Sequence, residues 1–463
     1  MDTKALRQKI LDLAIHGKLV PQDPNDEPAS VLLERIRAEK ERLIKEGKIK
    51  KGKKSAKTSD KPHYPYELPK GWVWCKLEDV TSVIGDGLHG TPQYNPNGAY
   101  YFVNGNNLSN RQIIIKNNTK RVSEEEYIKY KKPLNEHTIL VSINGTIGNI
   151  GTYSNEQIIL GKSACYFNIT PFLVKEYMCY VIESNYFQKY ALLSATGSTI
   201  KNVPLKAINE FYVPIPPVSE QKRIVSEIDY LLAFINKVEE GRENLQNTVQ
   251  SAKSKILDLA IHGKLVPQDP NDEPASELLK RINPKAEITC GNPQYGKLPK
   301  GWCETHIGDA FKVTMGQSPD GSSLNPIDGM EFHQGKILFG NKYLRKSSVL
   351  TNSPTKIADA DTLLLCVRAP VGVVNITKQR ICIGRGLCCL TPTKAINLDY
   401  AFYMLTTFQE KFESQSTGST FKAISGSIIK NEQLWLPPLS EQHRIVAKIE
   451  ELFAQLDKIE ASL

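Results

Sequence analysis

The sequence predicts an α+β protein in which two similar α/β domains are separated by two long antiparallel coiled-coil helices, with a pseudo-twofold internal repeat. Three observations predict this fold class. Segments from the first half of the 463 residues recur in the same order in the second half, strand and helix patterns follow one another in both copies, and an apolar heptad pattern follows each copy.

The internal repeat consists of five collinear matches. The longest, KILDLAIHGKLVPQDPNDEPAS, begins at Lys9 and recurs without change from Lys255. The other matches are LPKGW from Leu68 and Leu298, TILVSINGTIG from Thr138 with TLLLCVRAPVG from Thr362, TGST from Thr196 and Thr417, and PPVSEQKRIV from Pro216 with PPLSEQHRIV from Pro437. Chance does not produce five ordered matches, so the sequence indicates a duplication.

The repeat and the composition together predict seven segments. They are an N-terminal helix over 1–36, a basic linker over 37–63, a first globular domain over 64–217, a central spacer helix over 218–263, a connector over 264–295, a second globular domain over 296–438 and a C-terminal spacer helix over 439–463.

The N-terminal helix is expected to complete the second spacer. By the repeat offsets Leu463 corresponds to Arg242 and Met1 to Asn247, so the two termini together supply one copy of the helix. We therefore expect the termini to lie within the ~18 Å that five Cα steps span. The alternative is that the terminal helix docks onto a partner protein.

The basic linker carries most of the net charge of +9. Residues 35–61 hold 12 Lys or Arg against 4 Asp or Glu. This composition is typical of a solvated linker, with contact to phosphates as the alternative. The net charge alone therefore does not indicate DNA binding.

Each globular domain combines strands with helices. In the first, 138–143 and 157–170 predict strands and 172–193 predicts a helix. In the second, 362–367 and 380–390 predict strands and 400–412 predicts a helix. A mixed α+β domain fits both copies.

The spacers show apolar residues in alternating steps of four and three, which predicts a coiled coil of roughly 50 Å. Ser219, after Pro216 and Pro217, is the predicted N-cap of the first spacer. The predicted seam residues are Ile224, Ile228, Leu231, Ile235, Val238 and Leu245 in the first spacer and Ile445, Ile449, Leu452, Leu456 and Ile459 in the second.

Motifs of catalysis and of metal binding are missing from the sequence. Gly161-Lys162-Ser163 is similar to the end of a phosphate-binding loop, but Glu156 occupies the place of that loop's first glycine. His16 and His262 precede Gly17 and Gly263 and are predicted helix-end caps. The sequence has no GxSxG, HExxH or CxxC motif and no Asp/Asn-Pro-Pro-Tyr/Phe tetrapeptide. We therefore predict a chain that is not an enzyme and holds no metal.

The composition also predicts a location. The nine cysteines include no CxxC pair, and no run of 18 apolar residues occurs. A reduced, cytoplasmic compartment without membrane contact is the expectation.

The two globular domains, the two spacers and the motifs LPKGW, TGST and PPxSEQ in both halves resemble the specificity subunit of type I restriction–modification systems. The resemblance covers essentially the whole chain. It implies two target-recognition domains, each reading one half of a split, asymmetric double-stranded DNA target, and spacer helices that dock two adenine methyltransferase subunits. Two restriction subunits would complete the assembly. S-adenosylmethionine, ATP and Mg²⁺ would belong to those partners, with no cofactor in this chain.

DNA-contacting residues are expected in the loops where the two copies differ, because Asn, Gln, Arg and Lys side chains can pair with base edges. The candidates are Asn104, Asn107, Arg111, Gln317, Asn341, Lys342, Arg345 and Lys346, with Lys201 and Lys422 after TGST as phosphate contacts. A solvated loop side chain is the alternative for each.

Other functions remain open at this point. The chain could be a coiled-coil scaffold for protein interactions, a specificity subunit of another restriction type, or an unrecognised nuclease. Residues 72–215 carry 13 Lys or Arg and 11 Asp or Glu, and residues 302–436 carry 14 and 11. Because phosphate contacts supply most non-specific affinity, we expect the isolated chain to bind DNA weakly.

Overall fold

The computed structural model describes residues 2–49, 64–290, 298–418 and 422–462. The chain divides into two compact units, unit 1 (Met1–Glu240) and unit 2 (Gly241–Leu463). The main strands and helices recur in the same order in both units, but the helix Glu124–Tyr130 of unit 1 has no counterpart in the described part of unit 2.

The described helices of unit 1 are α1 (Thr3–Ile15), α2 (Ala29–Lys45), α3 (Glu124–Tyr130), α4 (Lys175–Glu183), α5 (Asn185–Ser194), α6 (Leu205–Glu210) and α7 (Val218–Ile261), the last continuing into unit 2. Its strands are β1 (Val73–Lys76), β2 (Thr81–Asp86), β3 (Tyr100–Val103), β4 (Leu108–Ser109), β5 (Gln112–Ile113), β6 (Arg121–Val122), β7 (Thr138–Ser142), β8 (Ile150–Thr152), β9 (Ile158–Leu160), β10 (Ala164–Ile169) and β11 (Tyr212–Ile215).

The described helices of unit 2 are α8 (Ala275–Ile282), α9 (Ile307–Ala310), α10 (Leu398–Thr406), α11 (Gln409–Ser414), α12 (Gly426–Lys430) and α13 (Leu439–Ala461). Its strands are β12 (Cys303–His306), β13 (Phe311–Met315), β14 (Leu324–Asn325), β15 (Met330–His333), β16 (Leu350–Thr351), β17 (Ile357–Ala358), β18 (Thr362–Cys366), β19 (Val374–Thr377), β20 (Ile381–Ile383), β21 (Leu387–Pro392) and β22 (Gln433–Leu436).

A central antiparallel sheet organises each unit, in the order β2-β10-β7-β8 in unit 1 and β13-β21-β18-β19 in unit 2. Every residue of β7 is buried because both faces of the sheet are covered. Ile139 and Val141 pack into the main core with α4 and α5, whereas Leu140 faces a smaller core that includes Val103 and Leu160. The apolar run TILVS therefore forms a central strand rather than an alternating one.

Two of the four predicted strands, 138–143 and 362–367, are confirmed, whereas the other two and both predicted helices needed correction in detail. The predicted strand over 157–170 is β9 and β10, separated by a turn at Gly161, and 380–390 divides in the same way into β20 and β21. The predicted helix over 172–193 is α4 and α5, because Ser184 has an extended backbone and its hydroxyl donates to the Val181 carbonyl oxygen at 2.6 Å. The helix predicted over 400–412 is likewise α10 and α11.

The segment boundaries also differ from the predicted ones. α2 runs to Lys45, so 37–45 of the predicted basic linker is helical, because Leu32, Leu33 and Ile36 anchor the helix in the core. Residues 50–63 of that linker lie outside the described part. The predicted connector over 264–295 contains α8, and its residues 291–295 also lie outside the described part.

The spacer helix α7 is longer than the predicted coiled coil, since 44 residues span about 66 Å. It begins at Val218, directly after Pro217, so Ser219 lies inside the first turn and the N-cap prediction was wrong. His16 is confirmed as the C-cap of α1, where its Nδ1 lies 2.7 Å from the Asp12 carbonyl oxygen. His262 makes the same contact with the Asp258 carbonyl oxygen.

Antiparallel helix pairing occurs within each unit. In unit 1, Arg7 of α1 pairs with Glu239 at 2.7 Å, whereas Gln22, further along the chain, contacts Glu220 near the start of α7. In unit 2, Lys253 of α7 pairs with Glu460 near the end of α13 at 3.1 Å, whereas Gln268, further along the chain, contacts Glu441 near its start. That α1 completes the second spacer stays a prediction.

The predicted seam is buried at the ends that face the globular domains and more open elsewhere. Ile224, Ile228, Ile235, Ile445 and Ile449 are buried, and Leu231, Leu452 and Leu456 are half-buried. By contrast, Val238, Leu245 and Ile459 are 37%, 39% and 43% exposed, against the prediction. In a pair of helices, each seam side chain is covered by the partner helix but stays partly open to solvent at its edges. Full burial therefore occurs only where the globular domain also packs against the seam.

The motifs shared by the copies meet at the start of each spacer. In unit 1, Trp72 of LPKGW donates its indole N–H to Glu220 of the SEQ motif at 2.9 Å, and Gln22 of the 22-residue repeat donates to the same carboxylate at 3.1 Å. Asp26 and Arg223 form an ion pair at 2.6 Å beside them. Unit 2 repeats these contacts with Trp302, Glu441, Gln268, Asp272 and Arg444. The repeated motifs therefore join globular domain, connecting segment and spacer.

Candidate nucleic-acid interface

Four connecting segments meet at one end of the central sheet of unit 1. The turn after β7 approaches the turn after β9, where the Ile143 N–H donates to the Ser163 carbonyl oxygen at 3.0 Å. The loop that contains TGST joins them through the Gly145 N–H, which donates to the Lys201 carbonyl oxygen at 3.2 Å. The segment after β3 adds Gly105, whose N–H donates to the Ser163 hydroxyl at 2.9 Å. We call this set the turn cluster of unit 1.

The turn cluster of unit 2 has the same backbone connections. The Val367 N–H donates to the Gly386 carbonyl oxygen at 2.9 Å, and the Ala369 N–H donates to the Lys422 carbonyl oxygen at 3.2 Å. Lys422 follows residues 419–421 of the second TGST loop, which lie outside the described part. The matching contacts show that the duplication extends to these turns.

Glycine is required where the segments approach most closely. A Cβ on Gly161 would lie 2.1 Å from the Asn104 side-chain oxygen, and a Cβ on Gly386 would lie 2.2 Å from the Gln334 carbonyl oxygen. A larger residue at Gly386 would push its turn away from the Gln334 backbone, and one at Gly161 would displace the Asn104 side chain. These two glycines therefore hold the turn clusters together.

The two turn clusters carry different side chains at equivalent positions. Unit 1 presents Asn104, Asn106, Asn144, Lys162 and Lys201, of which Asn104 and Asn144 are half-buried and the others exposed. Unit 2 presents Gln334, Lys336, Arg368, Arg385 and Lys422, all exposed, and three of these, Gln334, Lys336 and Arg368, line a small cavity of about 120 Å³. One cluster thus offers mainly amides and the other mainly cations. Both chemistries suit base edges and phosphates.

The structure places some of the predicted site residues at these clusters. Asn104, Lys201 and Lys422 belong to them, and Arg345 lies beside Lys336, donating from Nη2 to the Ile337 carbonyl oxygen at 2.9 Å. Gln317 is exposed and its N–H donates to the Ile383 carbonyl oxygen, one residue before the turn after β20. Lys346 is exposed next to Arg345.

Asn107 is placed elsewhere. Its side chain is 6% exposed, and its amide donates to the Ile114 carbonyl oxygen at 2.9 Å while its oxygen accepts from the Asn104 N–H at 3.1 Å. Asn107 therefore holds the loop in shape from inside, in contrast to the predicted contact with bases.

Arg111 and Lys342 are paired away from the turn clusters. Arg111 donates twice to Glu183, at 2.9 and 2.6 Å, and Lys342 pairs with Asp399 and Glu450, each at 2.9 Å. Asn341, next to Lys342, is exposed and lines a separate cavity of about 810 Å³ within unit 2. These cations contact the protein itself in this structure.

Sequence reasoning missed several cluster residues, including Asn144, Lys162, Lys336, Arg368 and Arg385. A signal was present: Asn144 and Arg368 stand at the same point of the matched segments TILVSINGTIG and TLLLCVRAPVG, where scaffold residues agree and these two differ. Lys162 was considered only as part of a phosphate-binding loop. Positions where the two copies differ within a shared segment were therefore a better guide to the cluster residues than resemblance to a known motif.

The described ranges contain no group of three His, Cys, Asp or Glu side chains arranged to hold a metal ion. Within those same ranges, no helix has the length and apolar character needed to cross a membrane. The nine cysteines are free thiols, and Cys290 is exposed while the other eight are buried.

Comparisons with known proteins agree with the repeat. A family description, "Type I restriction modification DNA specificity domain", matches residues 69–247 and 299–463. A putative type I restriction enzyme specificity subunit, MjaX, of Methanocaldococcus jannaschii is 29% identical, covering 83% of this chain and 87% of the relative. The EcoEI specificity subunit of Escherichia coli is 26% identical, covering 99% and 90%.

The fold is also found among solved structures. A chain from work on complex assembly and conformational transition of the type I R-M system is 22% identical and superimposes with a TM-score of 0.62, covering 86% of this chain and 94% of that one. This likeness supports the fold assigned above.

Proposed function

This chain belongs to the type I restriction modification DNA specificity family, and from that premise we propose that each unit reads one half of a split, asymmetric DNA target. The chain is a specificity subunit and not a catalytic one, as its relatives are named specificity subunits. Adenine methylation and DNA cleavage would then lie in partner subunits, which bring S-adenosylmethionine, ATP and Mg²⁺.

The observation that carries the proposal is the pair of turn clusters. Each cluster contains the same backbone hydrogen bonds, yet Asn104 and Asn144 of unit 1 correspond to Gln334 and Arg368 of unit 2. Arg favours guanine and Asn favours adenine in bidentate pairs. A duplicated reader with different side chains can specify two unrelated half-sites, whereas two identical readers would require a palindrome.

The partners follow from the same premise. We propose double-stranded DNA, two methyltransferase subunits and two restriction subunits in the cytoplasm, with the methyltransferases docked on α7 and α13. The modest charge of the globular domains supports this arrangement, because net charges of about +2 and +3 provide few phosphate contacts and partners would have to supply the rest of the DNA clamp.

The test is selection of bound sequences from a random double-stranded DNA library, using the chain with its methyltransferase partners. We expect two specified blocks separated by a gap of fixed length. Asn144→Ala should relax one block only and Arg368→Ala the other only, each by about 1–3 kcal/mol at the affected base pair.

Lys131→Ala is the matched control. Lys131 is exposed just before Pro133, which contacts Asn168 at the opposite end of the central sheet from the turn cluster. This variant should keep both blocks. Enrichment of no sequence at all would contradict the proposal and favour a coiled-coil scaffold, and enrichment of one palindrome would contradict reading by two different units.

A further inference from the structure

We call the loop that holds the predicted DNA contacts, 104–111 in unit 1 and 340–346 in unit 2, the recognition loop. In each unit a cation from this loop contacts a tyrosine of a helix, α4 in unit 1 and α10 in unit 2. In unit 1 the Arg111 guanidinium lies 3.8 Å from the centroid of the Tyr180 ring of α4. In unit 2 the Lys342 ammonium lies 5.0 Å from the centroid of the Tyr403 ring of α10. Such stacking of a cation on an aromatic face is attractive, and more so when the pair is shielded from water.

The loop backbone is anchored identically in the two units. The Thr152 N–H of β8 donates to the Arg111 carbonyl oxygen at 2.9 Å, and the Ile376 N–H of β19 donates to the Lys342 carbonyl oxygen at 2.9 Å. Arg111 and Lys342 are therefore structurally equivalent, although their loops share little sequence beyond Asn-Arg and Asn-Lys.

In each unit one member of the cation–tyrosine pair also bonds to an acidic residue of the spacer helix. The Tyr180 hydroxyl donates to Asp229 of α7, and Lys342 itself pairs with Glu450 of α13 at 2.9 Å. Asp229 and Glu450 occupy the same position of the two copies of the spacer, ten residues after the serine of each SEQ motif. The acidic residue of the spacer is thus repeated along with the tyrosine and the cation.

The charges and the backbone indicate that these contacts hold the loop firmly. Burial and the hydrogen bond to Asp229 raise the pKa of Tyr180, so its hydroxyl remains a donor. Burial alone would lower the pKa of Lys342, but Asp399 and Glu450 outweigh it and raise the pKa. Arg111 has a left-handed backbone with φ of 59°, a conformation that surrounding contacts must maintain in a residue with a side chain.

We infer that Arg111 and Lys342 are positioning residues, which fasten the recognition loop of their unit to its spacer helix and so fix the loop relative to the half-site. We call these contacts the loop clamps. They rest on the proposed function, because the loops matter only if they read DNA. Arg111 and Lys342, which the sequence predicted to contact bases, would thus contribute to recognition without touching DNA.

The test uses the same DNA selection with two variants of each clamp. Arg111→Ala and Tyr180→Phe should each reduce the preference for the block read by unit 1 by about tenfold, a loss of about 1.4 kcal/mol. Glu450→Gln should do the same for the block read by unit 2, although it lies on the spacer. Lys342→Arg should retain the preference, because it keeps the cation.

Salt dependence separates positioning from direct contact. Lys201→Ala, in the turn cluster, should lower the slope of log affinity against log salt by about one. Arg111→Ala should leave this slope unchanged, and melting curves of Tyr180→Phe near those of the parent chain would show that its effect is not unfolding.

The outcomes distinguish the two proposals. Failure of the parent chain to select two blocks defeats the proposed function. Two normal blocks in the parent, together with blocks unchanged in Arg111→Ala and Glu450→Gln, overturn the loop clamps alone. A reduced salt slope in Arg111→Ala also overturns them, because it would show contact with phosphate.

Discussion

The junction at the start of the second spacer allows one stability prediction to be worked out fully. Glu441 is completely buried, and its carboxylate accepts from the Trp302 indole N–H at 3.0 Å and from Gln268 at 3.1 Å. Trp302→Phe keeps an aromatic ring at the site but removes the indole donor. The carboxylate then retains only the amide of Gln268.

The expected cost follows from the charge of the acceptor. A hydrogen bond to a charged group contributes about 1.5–3 kcal/mol, because its loss leaves a buried charge poorly solvated. For a unit of about 220 residues, where each kcal/mol shifts the melting temperature by about 2–4 °C, that corresponds to a decrease of about 3–12 °C. Trp72→Phe in unit 1 should cost a similar amount, since its indole lies 2.9 Å from the buried Glu220.

The same carboxylate predicts a dependence on pH. Burial raises the pKa of Glu441 above its ordinary value, so its contribution to stability is present below the unfolded pKa and is lost as pH rises through the folded pKa. Removing the indole donor should raise the folded pKa further. The deficit of Trp302→Phe should therefore be full at neutral pH and shrink as the pH falls toward the ordinary value of a glutamate.

The assay is calorimetric unfolding of the full chain at several pH values. Trp74→Phe is the matched control, because the Trp74 indole donates to the uncharged Tyr66 carbonyl oxygen at 3.1 Å in a partly exposed site, and it should cost about 0.5–1.5 kcal/mol. Equal costs for Trp302→Phe and Trp74→Phe, or a deficit independent of pH, would refute the reasoning.

Three further predictions concern the spacer, the partners and the thiols. Ile228→Ala removes a fully buried seam residue and should lower the free energy of unfolding by about 2–5 kcal/mol. Tyr230→Ala, at a position 68% exposed, should change it by less than about 0.5 kcal/mol. Similar values for the two variants would contradict the assigned seam. In a salt-titrated DNA-binding assay, the isolated chain should bind more weakly than the chain with methyltransferase partners, and equal affinity would count against partner-supplied phosphate contacts. A thiol reagent should rapidly modify Cys290 alone, because the other eight cysteines are buried and burial raises the pKa of a thiol such as that of Cys165. Rapid labelling of the Cys290→Ser variant would contradict this prediction.

Much of the fold could be predicted because it depends on periodicity and repetition. The heptad steps from Ile224 indicated α7, and the repeated motifs indicated two equivalent units. The break at Ser184 could not be predicted, because a single serine hydroxyl that bonds back to Val181 decides it. The exposure of Val238 likewise depends on how far the globular layer extends along the helix, which the local sequence does not specify.

The candidate site was predicted less completely, since it depends on contacts between distant segments. Lys201 and Lys422 were found from their place after TGST, but Arg111 was expected to contact DNA because its loop is polar. Its bond to Glu183, 72 residues away, could be found only from the structure. Asn144 and Arg368 could have been found from the sequence by asking where the two copies differ inside an otherwise shared segment.

Mapping methylated adenines in the host genome after replacement of one globular domain tests the central claim most directly. With residues 296–438 replaced by the corresponding domain of a relative, one half of the methylated motif should change while the other half and the gap remain as in the parent. Alteration of both halves at once, or an unchanged motif, would contradict the assignment of one half-site to each unit.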